Sequence, residues 1–298
     1  MGKRKGPAYG ERTKNNGSHT GRRENTDSAV RAKKHLGQHF LTDLNIARKI
    51  ADSLSGGTAA APAKALEVGP GMGVLTQFLL QRDDLEVFAA EIDDESIEYL
   101  RVHYPTLIPR LIEGDFLQMD LRALFPHGVR IIGNFPYNIS SQIFFKILEN
   151  RDLVPEAVGM VQKEVAVRIA EPPGSREYGI LSVLLQAWYD IEYLFTVNEN
   201  VFNPPPKVKS AVIRLRRNGV ERMDCDERLF VKVVKASFGQ RRKMLKNSLK
   251  AVFGDFGGAE HRFFTTRAEQ LGVADFTELT RWVAEHMPPS NGDGKQSK

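Results

Sequence analysis

Cysteine is almost missing from this chain of 298 residues, in which Cys225 is the single example. One thiol excludes a disulfide within the chain and a zinc site made of several cysteines. The chain also has no run of the roughly 20 apolar residues that a membrane-spanning helix needs. Its basic first segment has no apolar run after it, unlike a secretory signal. We therefore expect a cytoplasmic protein, with enough apolar residues for one large domain or two ordinary ones.

The positive charge of the chain is unevenly distributed. The net charge is +5, yet residues 1–34 carry ten basic and three acidic side chains, which is +7. The remaining 264 residues are slightly acidic, at −2. Residues 1–28 have almost no aliphatic side chains, so we predict a disordered basic tail there and a second disordered tail over 288–298. A nucleic-acid surface on the folded part must therefore come from a local cluster of cations.

Between the tails, short apolar runs alternate with helical patterns, which is typical of a parallel, doubly wound α/β sheet. Strands are predicted over 64–68, 86–91, 107–113, 129–133, 157–161, 190–197 and 210–215. Helices are predicted between them over 74–80, 94–103, 139–150, 163–170 and 178–187. Beyond residue 217 only helices follow, over 226–238, 241–253, 266–271 and 275–286. The pattern predicts an α/β domain over 29–217 and a small all-helical domain over 218–287.

Three motifs follow the first three predicted strands, where ligands of an α/β sheet bind. Residues 69–73 (GPGMG) follow the first strand, and their spacing matches neither a dinucleotide fingerprint nor a P-loop. Glu91 ends the second strand, where a carboxylate can accept hydrogen bonds from ribose hydroxyls. Asp115, next to Phe116, follows the third strand, where a carboxylate and a ring can hold an adenine. The plain alternatives are a tight turn without a ligand and two solvated carboxylates.

The motif after the fourth strand, residues 133–137 (GNFPY), is the most specific. The amine of adenine is a poor nucleophile because its lone pair is delocalised into the ring. The Asn134 side-chain oxygen and the Pro136 carbonyl are two acceptors that can hold both N–H groups and aim that lone pair. Proline makes the turn rigid, and Tyr137 offers a ring face to a flipped base. A surface turn built on Asn and Pro is the alternative.

These four motifs together resemble those of the Asn-Pro-Pro-Tyr-type amino-methyltransferases, which use S-adenosylmethionine. Residues 34–41 (KHLGQHFL) resemble the Gly-Gln-Asn-Phe-Leu motif of the ribosomal RNA adenine dimethyltransferases. Residues 201–208 (VFNPPPKV) with Ser210 resemble the Phe-x-Pro-x-Pro-Lys-Val-x-Ser segment of that family. The resemblance covers about residues 31–286 and is closest to the bacterial small-subunit enzymes. It implies a Rossmann-like S-adenosylmethionine-dependent methyltransferase that dimethylates the N6 amines of two adjacent adenosines near the 3′ end of small-subunit ribosomal RNA.

The resemblance also assigns cofactor-binding residues. In the order of the chain they are His39, Leu41, Gly69, Glu91, Asp115 and Asn134. Gly69 matches the glycine under the methionine part of the cofactor, Glu91 the ribose-binding acid and Asp115 the residue at the adenine. His39 stands where the family usually has Asn, which adds a titratable group.

A second group is assigned to the target base and the transfer. Its members are Asn134, Pro136, Tyr137 and Phe202. Asn134 touches both cofactor and target amine, while Tyr137 and Phe202 match aromatic residues around the target base. Phe135 replaces an aliphatic residue of the family, and we expect its side chain to face the core of the sheet. No metal site is expected, because Gly37 weakens any helix that would join His35 and His39.

Seven cations occur within 19 residues of the predicted helical domain, with no acid among them. They are Lys232, Lys235, Arg241, Arg242, Lys243, Lys246 and Lys250. If the segment were one helix, residues 235, 242, 246 and 250 would share a face. We predict that this cluster contacts the RNA backbone, and a solvated helix face is the alternative.

Two other functions stay open at this point. One is an assembly or checkpoint factor that recognises immature small subunits and methylates them only secondarily. The other is the related large-subunit dimethyltransferase that gives macrolide resistance. For either small-subunit function the expected partner is ribosomal RNA or an immature small subunit, with no membrane involved, and the protein is expected to act as a monomer.

Overall fold

The computed structural model describes residues 30–288. The tails predicted for residues 1–28 and for 288–298 lie outside this part, apart from Pro288. Within it, no helix has the length and the apolar composition that crossing a membrane requires.

The described residues form strands and helices in alternation. The strands are β1 (Phe40–Leu41), β2 (Ala63–Val68), β3 (Leu85–Glu91), β4 (Leu111–Glu113), β5 (Arg130–Asn134), β6 (Glu156–Gln162), β7 (Tyr189–Val197), β8 (Phe202–Asn203) and β9 (Ser210–Arg217). The helices are α1 (Leu44–Asp52), α2 (Thr76–Leu79), α3 (Asp94–His103), α4 (Leu121–Leu124), α5 (Ser140–Glu149), α6 (Lys163–Ala170), α7 (Ile180–Gln186), α8 (Glu227–Gly239), α9 (Leu245–Phe253) and α10 (Val273–His286).

Seven strands form one sheet in the order β4-β3-β2-β5-β6-β9-β7. Neighbours from β4 to β6 are parallel, as predicted, but β9 is antiparallel to both β6 and β7. The prediction of a wholly parallel sheet is therefore wrong at β9. The cause is that residues 198–209 contain no crossover helix, and a parallel return would need one.

Three predicted elements are shorter than expected. Of the predicted strand 107–113 only β4 is extended, because residues 105–110 form a 3-10 helix with Pro105 at its start and Pro109 inside it. The predicted helix 241–253 begins only at Leu245, after a turn over residues 240–244. The predicted helix 266–271 is reduced to a 3-10 helix over Ala268–Gln270.

The sheet separates two apolar clusters, one on each face. Leu66 and Ile131 belong to one cluster while their neighbours Ala65 and Ile132 belong to the other, as the alternation of side chains along a strand requires. The carboxyl-terminal helices extend the first cluster, where Phe230 of α8 packs edge-on against Trp188. This packing holds the helices to the same body that carries the strand ends. The division into domains at residue 217 stays a prediction.

Phe135 is fully buried in the first apolar cluster, so its side chain faces the core as predicted. A Cβ atom at Gly159 of the neighbouring β6 would lie 2.5 Å from its ring, so the larger aromatic fits because the strand beside it carries glycine. The departure from the family pattern is thus absorbed within the core.

Candidate active site

A cavity of about 300 Å³ lies at the carboxyl ends of β2, β3, β4 and β5. It brings together seven of the residues singled out from the sequence. They are His39, Gly69, Glu91, Asp115, Asn134, Pro136 and Tyr137. The motifs that follow four separate strands therefore share one space, which is what a ligand at the edge of an α/β sheet requires.

Leu41 and Phe202 do not line this cavity. They face each other in the antiparallel pair β1–β8, and their exposed fractions are 3% and 4%. Their place in the second apolar cluster gives them a packing role, which holds the segment before α1 against residues 202–203. The contact of Phe202 with a target base stays a prediction.

Gly69 gives the cavity part of its floor. Its φ of 68° lies in the left-handed region that favours glycine. A Cβ atom on Gly69 would meet no protein atom within 4 Å, so the missing side chain leaves open space. At Gly71, by contrast, a Cβ atom would lie 2.8 Å from the Phe40 ring. Gly69 therefore leaves room for a ligand next to the backbone, whereas Gly71 does not.

Glu91 is held rigidly, and it is only 4% exposed. Its Oε2 accepts a hydrogen bond from the Gly71 amide at 3.0 Å, and its Oε1 accepts from the amides of Ile92 (2.9 Å) and Asp93 (3.0 Å). Burial raises the pKa of this carboxyl group, and the three amide donors oppose that shift. The fixed carboxylate keeps lone pairs that can accept from hydroxyl groups in the cavity.

Asp115 contributes the next polar group of the cavity. Its Oδ1 caps the short 3-10 helix that follows by accepting from the Leu117 amide at 2.9 Å. The other carboxylate oxygen can accept from an exocyclic amine. Phe116 and Ile92 line the same cavity, and Ile92 is 52% exposed despite its aliphatic side chain. Sequence reasoning missed Ile92, although an aliphatic residue directly after the acid at a strand end was a usable signal.

Glu67 is another residue to which sequence reasoning gave no role. It is 2% exposed, and its Oε2 accepts a hydrogen bond from the Thr76 hydroxyl at 2.7 Å. Burial raises the pKa of Glu67 to about 8. The bond joins the end of β2 to the start of α2 and so spans the glycine turn. An acid two residues before Gly69 within an apolar strand was the available signal.

The Asn134 amide is oriented by the backbone of a distant segment. Its Nδ2 donates to the carbonyl oxygen of His39 at 2.9 Å, which leaves Oδ1 as an acceptor. The carbonyl oxygen of Pro136 accepts from the Ile139 amide at 3.2 Å and has a second lone pair to offer. Both acceptors belong to residues that line the cavity. The turn can thus hold two N–H groups of one amine.

Tyr137 and His39 stack on each other, with ring centroids 5.2 Å apart and planes inclined by 28°. His39 Nδ1 lies 2.8 Å from the carbonyl oxygen of Pro204, so Nδ1 carries the hydrogen. The Tyr137 hydroxyl is hydrogen-bonded to the Ser210 hydroxyl, and burial raises the pKa of Tyr137. His39 therefore covers part of one face of the Tyr137 ring.

Residues 33–39, which we call the strap, carry several of the residues that line the cavity. Asp93, only 2% exposed, anchors the strap by pairing with the Lys33 ammonium and by accepting from Gln38 Nε2 at 3.3 Å. These partners lower the pKa of Asp93, against the effect of its burial. At the other end, Asn138 Nδ2 donates to the His35 carbonyl at 3.3 Å. The strap therefore connects the residues after Glu91 with the turn that carries Asn134.

The seven cations predicted to bind RNA are split by the structure. The segment is not one continuous helix, as the two separately predicted helices indicated, because α8 ends at Gly239 and α9 begins at Leu245, so the condition for a shared face is not met. Lys246 pairs with Glu260 and Lys250 pairs with Asp255, while the Arg241 guanidinium donates to the carbonyls of residues 176 and 178. Within residues 30–288, the cations of the cluster that form neither an ion pair nor a side-chain hydrogen bond are Lys232, Lys235, Arg242 and Lys243. The same part of the chain holds no group of three His, Cys, Asp or Glu side chains suited to a metal ion.

Comparison with known proteins is consistent with this geometry. A curated relative, the "Ribosomal RNA small subunit methyltransferase A" of Bacteroides thetaiotaomicron, is 55% identical over 89% of this chain and 98% of its own. The protein of the same name from Porphyromonas gingivalis is 56% identical over 84% of this chain and 97% of its own.

Two solved structures resemble the fold over most of its length. A dimethyladenosine transferase from Plasmodium falciparum has a TM-score of 0.69 at 25% identity and covers 83% of this chain and 98% of that one. The 23S rRNA methyltransferase ErmE has a TM-score of 0.58 at 26% identity and covers 81% and 99%. The sequence model described as "Ribosomal RNA adenine dimethylase" matches residues 29–284. This chain therefore belongs to the ribosomal RNA adenine dimethylase family.

Proposed function

We propose that this protein transfers methyl groups from S-adenosylmethionine to the N6 amines of two adjacent adenosines near the 3′ end of small-subunit ribosomal RNA. The observation that carries the proposal is the position of Asn134. Its unbonded amide oxygen belongs to the same cavity as the carboxylates of Glu91 and Asp115. One cavity thus contains a hydrogen-bond acceptor for the target amine and hydrogen-bond acceptors for the nucleoside part of the cofactor. The methyl transfer takes place during the biogenesis of the small ribosomal subunit.

The residues of the cavity fit S-adenosylmethionine. The space over Gly69 suits the methionine part, Glu91 has lone pairs for ribose hydroxyls, and Asp115 has one for the adenine amine. When bound, S-adenosylmethionine supplies an electrophilic methyl group on a positively charged sulfur. Two carboxylates in the cavity also favour a cationic ligand.

The protein residues act mainly by positioning. Asn134 Oδ1 and the Pro136 carbonyl accept from the two N–H groups of the target amine and direct its lone pair into the cavity. Tyr137 supports the flipped base on the face that His39 leaves open. The amine loses its proton after the carbon–nitrogen bond forms, so a strong base is not needed. Holding both reactants in line supplies most of the rate.

Small-subunit RNA is favoured over large-subunit RNA as the substrate. Relatives named for the small subunit are 55% to 56% identical to this chain, whereas the 23S rRNA methyltransferase ErmE is 26% identical. We propose that the unpaired cations Lys232, Lys235, Arg242 and Lys243 contact the phosphate backbone of the RNA. An assembly or checkpoint factor that methylates only secondarily is less favoured, because the acceptors for amine and cofactor are all in place.

The direct test is to incubate the protein with labelled S-adenosylmethionine and undermethylated small or large subunits, and then to map the label. We expect label on adjacent adenosines of the small-subunit RNA. Label confined to large-subunit RNA would overturn the assignment of the substrate.

Asn134→Ala tests the mechanism. Loss of the amide oxygen should slow transfer by about 100-fold, because the amine is no longer held, while the Kd for S-adenosylmethionine changes little. Asn45→Ala, an exposed change on α1, is the matched control. Near-normal turnover by Asn134→Ala would contradict the mechanism.

A further inference from the structure

A second cavity, of about 530 Å³, lies at the same edge of the sheet as the candidate active site. Gln162, the last residue of β6, pairs with Ser210, the first residue of β9. Ser210 in turn is hydrogen-bonded to Tyr137. Lys163, which follows Gln162, and Lys209, which precedes Ser210, both line the cavity. The Lys163 amide donates a hydrogen bond of 2.9 Å to the carbonyl oxygen of Lys209. It therefore adjoins the residue proposed to support the target base.

The charges around this second cavity suit a phosphodiester. Lys163, Lys207 and Lys209 are exposed, and in the described part of the chain none of them forms an ion pair. Glu164 also lines the cavity, but Arg168 neutralises it at 2.8 Å. Three unpaired ammonium groups on two adjoining segments make a local positive surface, whereas residues 30–288 as a whole carry 33 basic and 33 acidic side chains.

The wall of the cavity also has groups that suit a base. Val208 is 46% exposed and stands between two of the lysines, and Val167 of α6 lines the same space. An exposed aliphatic patch between cations is typical of a surface that receives the flat, partly apolar part of a nucleotide. Glu177 supplies a carboxylate that can accept from the N–H groups of a base edge.

We propose that this cavity is a subsite for the nucleotide next to the adenosine being methylated. Lys163 and Lys209 contact its phosphates, and Val208 contacts its base. The inference rests on the proposed function, because it takes the RNA strand to enter at Tyr137. It adds a place where the neighbouring nucleotide is held while one adenosine is flipped. This contact positions the strand and takes no part in methyl transfer itself.

The test compares variants on undermethylated small subunits at several salt concentrations. For the double variant Lys163→Gln and Lys209→Gln we expect KM to rise about tenfold with kcat nearly unchanged. The plot of log(kcat/KM) against log salt has a negative slope, and the magnitude of that slope should decrease by about 1.4. This is about 0.7 for each lost contact with a single-stranded phosphate. The double variant with Arg at both positions should keep the wild-type slope. Val208→Ser should raise KM without changing the slope.

The double variant Lys49→Gln and Arg222→Gln, which removes two exposed cations elsewhere on the surface, is the charge-matched control and should behave as wild type. The Kd for S-adenosylmethionine should be the same in every variant. A wild-type KM and slope in the Lys163→Gln and Lys209→Gln variant would overturn the subsite. A wild-type protein that transfers no methyl group to small subunits would instead overturn the proposed function, so the two failures are distinguishable.

Discussion

Glu67 and Thr76 form a buried polar contact directly behind the glycine turn, outside the cavity itself. A carboxyl group in this position costs free energy when it is charged, because the surrounding strand and helix exclude water. The pKa of about 8 keeps the group mostly protonated near neutral pH. The turn that carries Gly69 therefore rests on a contact whose charge changes within an accessible range of pH.

The stability of the protein should carry the signature of this group. Between pH 4.5 and 8 the folded protein holds a proton that the unfolded chain has released, so the free energy of unfolding falls as pH rises. One such group contributes at most about 1.4 kcal/mol per pH unit. Glu67→Gln should remove this contribution, as measured by urea unfolding at pH 5, 6.5 and 8. The exposed Glu285→Gln is the control, and equal slopes in both variants would refute the assignment.

Glu91→Gln tests the rigid acid of the cavity. The amide replaces one acceptor oxygen by a donor, which leaves at least one backbone N–H of Gly71, Ile92 or Asp93 without its partner. We expect the Kd for S-adenosylmethionine to rise by about 10- to 100-fold, or ~1–3 kcal/mol. Calorimetric titration measures the change, with the exposed Asp94→Asn as the control. An unchanged Kd would mean that Glu91 does not hold the ribose.

The sequence specified the chemistry of single residues better than their contacts. Glu91, Asp115 and Asn134 were selected because they follow strand ends, and parallel strands bring those ends to one edge. Phe202 was selected by resemblance, yet its burial against Leu41 depends on the pairing of β1 with β8, which joins segments far apart in the chain. The bond from Asn134 to the His39 carbonyl depends on the same kind of long-range contact.

At the scale of elements, the strap is the part of the site that most depends on charge. Lys33 pairs with a buried carboxylate, so its loss would leave Asp93 without its main counter-charge. Since residues 35–39 line the cavity, a loosened strap should weaken the binding of S-adenosylmethionine. It should also free the His39 carbonyl that orients Asn134.

Lys33→Met should therefore raise the Kd for S-adenosylmethionine about tenfold, or ~1.4 kcal/mol, and increase hydrogen exchange over residues 33–39. Lys34→Met is the control, since Lys34 is exposed and has no ion pair within residues 30–288. Equal effects of the two variants would show that the pair with Asp93 does not hold the strap.

Long periodic segments were predictable as elements, and their ends were decided by local chemistry. The predicted helix 94–103 agrees with α3, where Asp94 and Glu95 lie in the first turn and Arg101 and His103 in the last. The predicted strand 107–113 was mostly wrong because Pro105 and Pro109 favour a turn over extended pairing. The antiparallel direction of β9 was indicated by the lack of a crossover helix in residues 198–209, whereas its place between β6 and β7 depends on long-range pairing.

At the scale of the molecule, the excess positive charge lies in the basic tail, since residues 1–28 carry +4 of the net +5. Deleting residues 1–28 should weaken RNA binding and flatten its salt dependence, because most of the excess positive charge is removed. Turnover at saturating RNA should stay nearly unchanged. Filter binding and methyl transfer on small subunits measure the two effects. A large loss of saturated turnover would refute a role confined to affinity.

The reversed direction of β9 has a further consequence for how this fold can diversify. The end of a parallel strand reaches the active edge, whereas a reversed strand brings its beginning there. In the proposed function, β2 to β4 therefore carry the residues for the methyl donor, while β5, β6 and β9 carry the residues for the RNA that accepts the methyl group. Exchanging the segment between β8 and β9 with that of a distant family member should alter the choice of RNA while leaving affinity for the methyl donor intact. Substrate choice and cofactor use can then evolve as separate modules on one sheet.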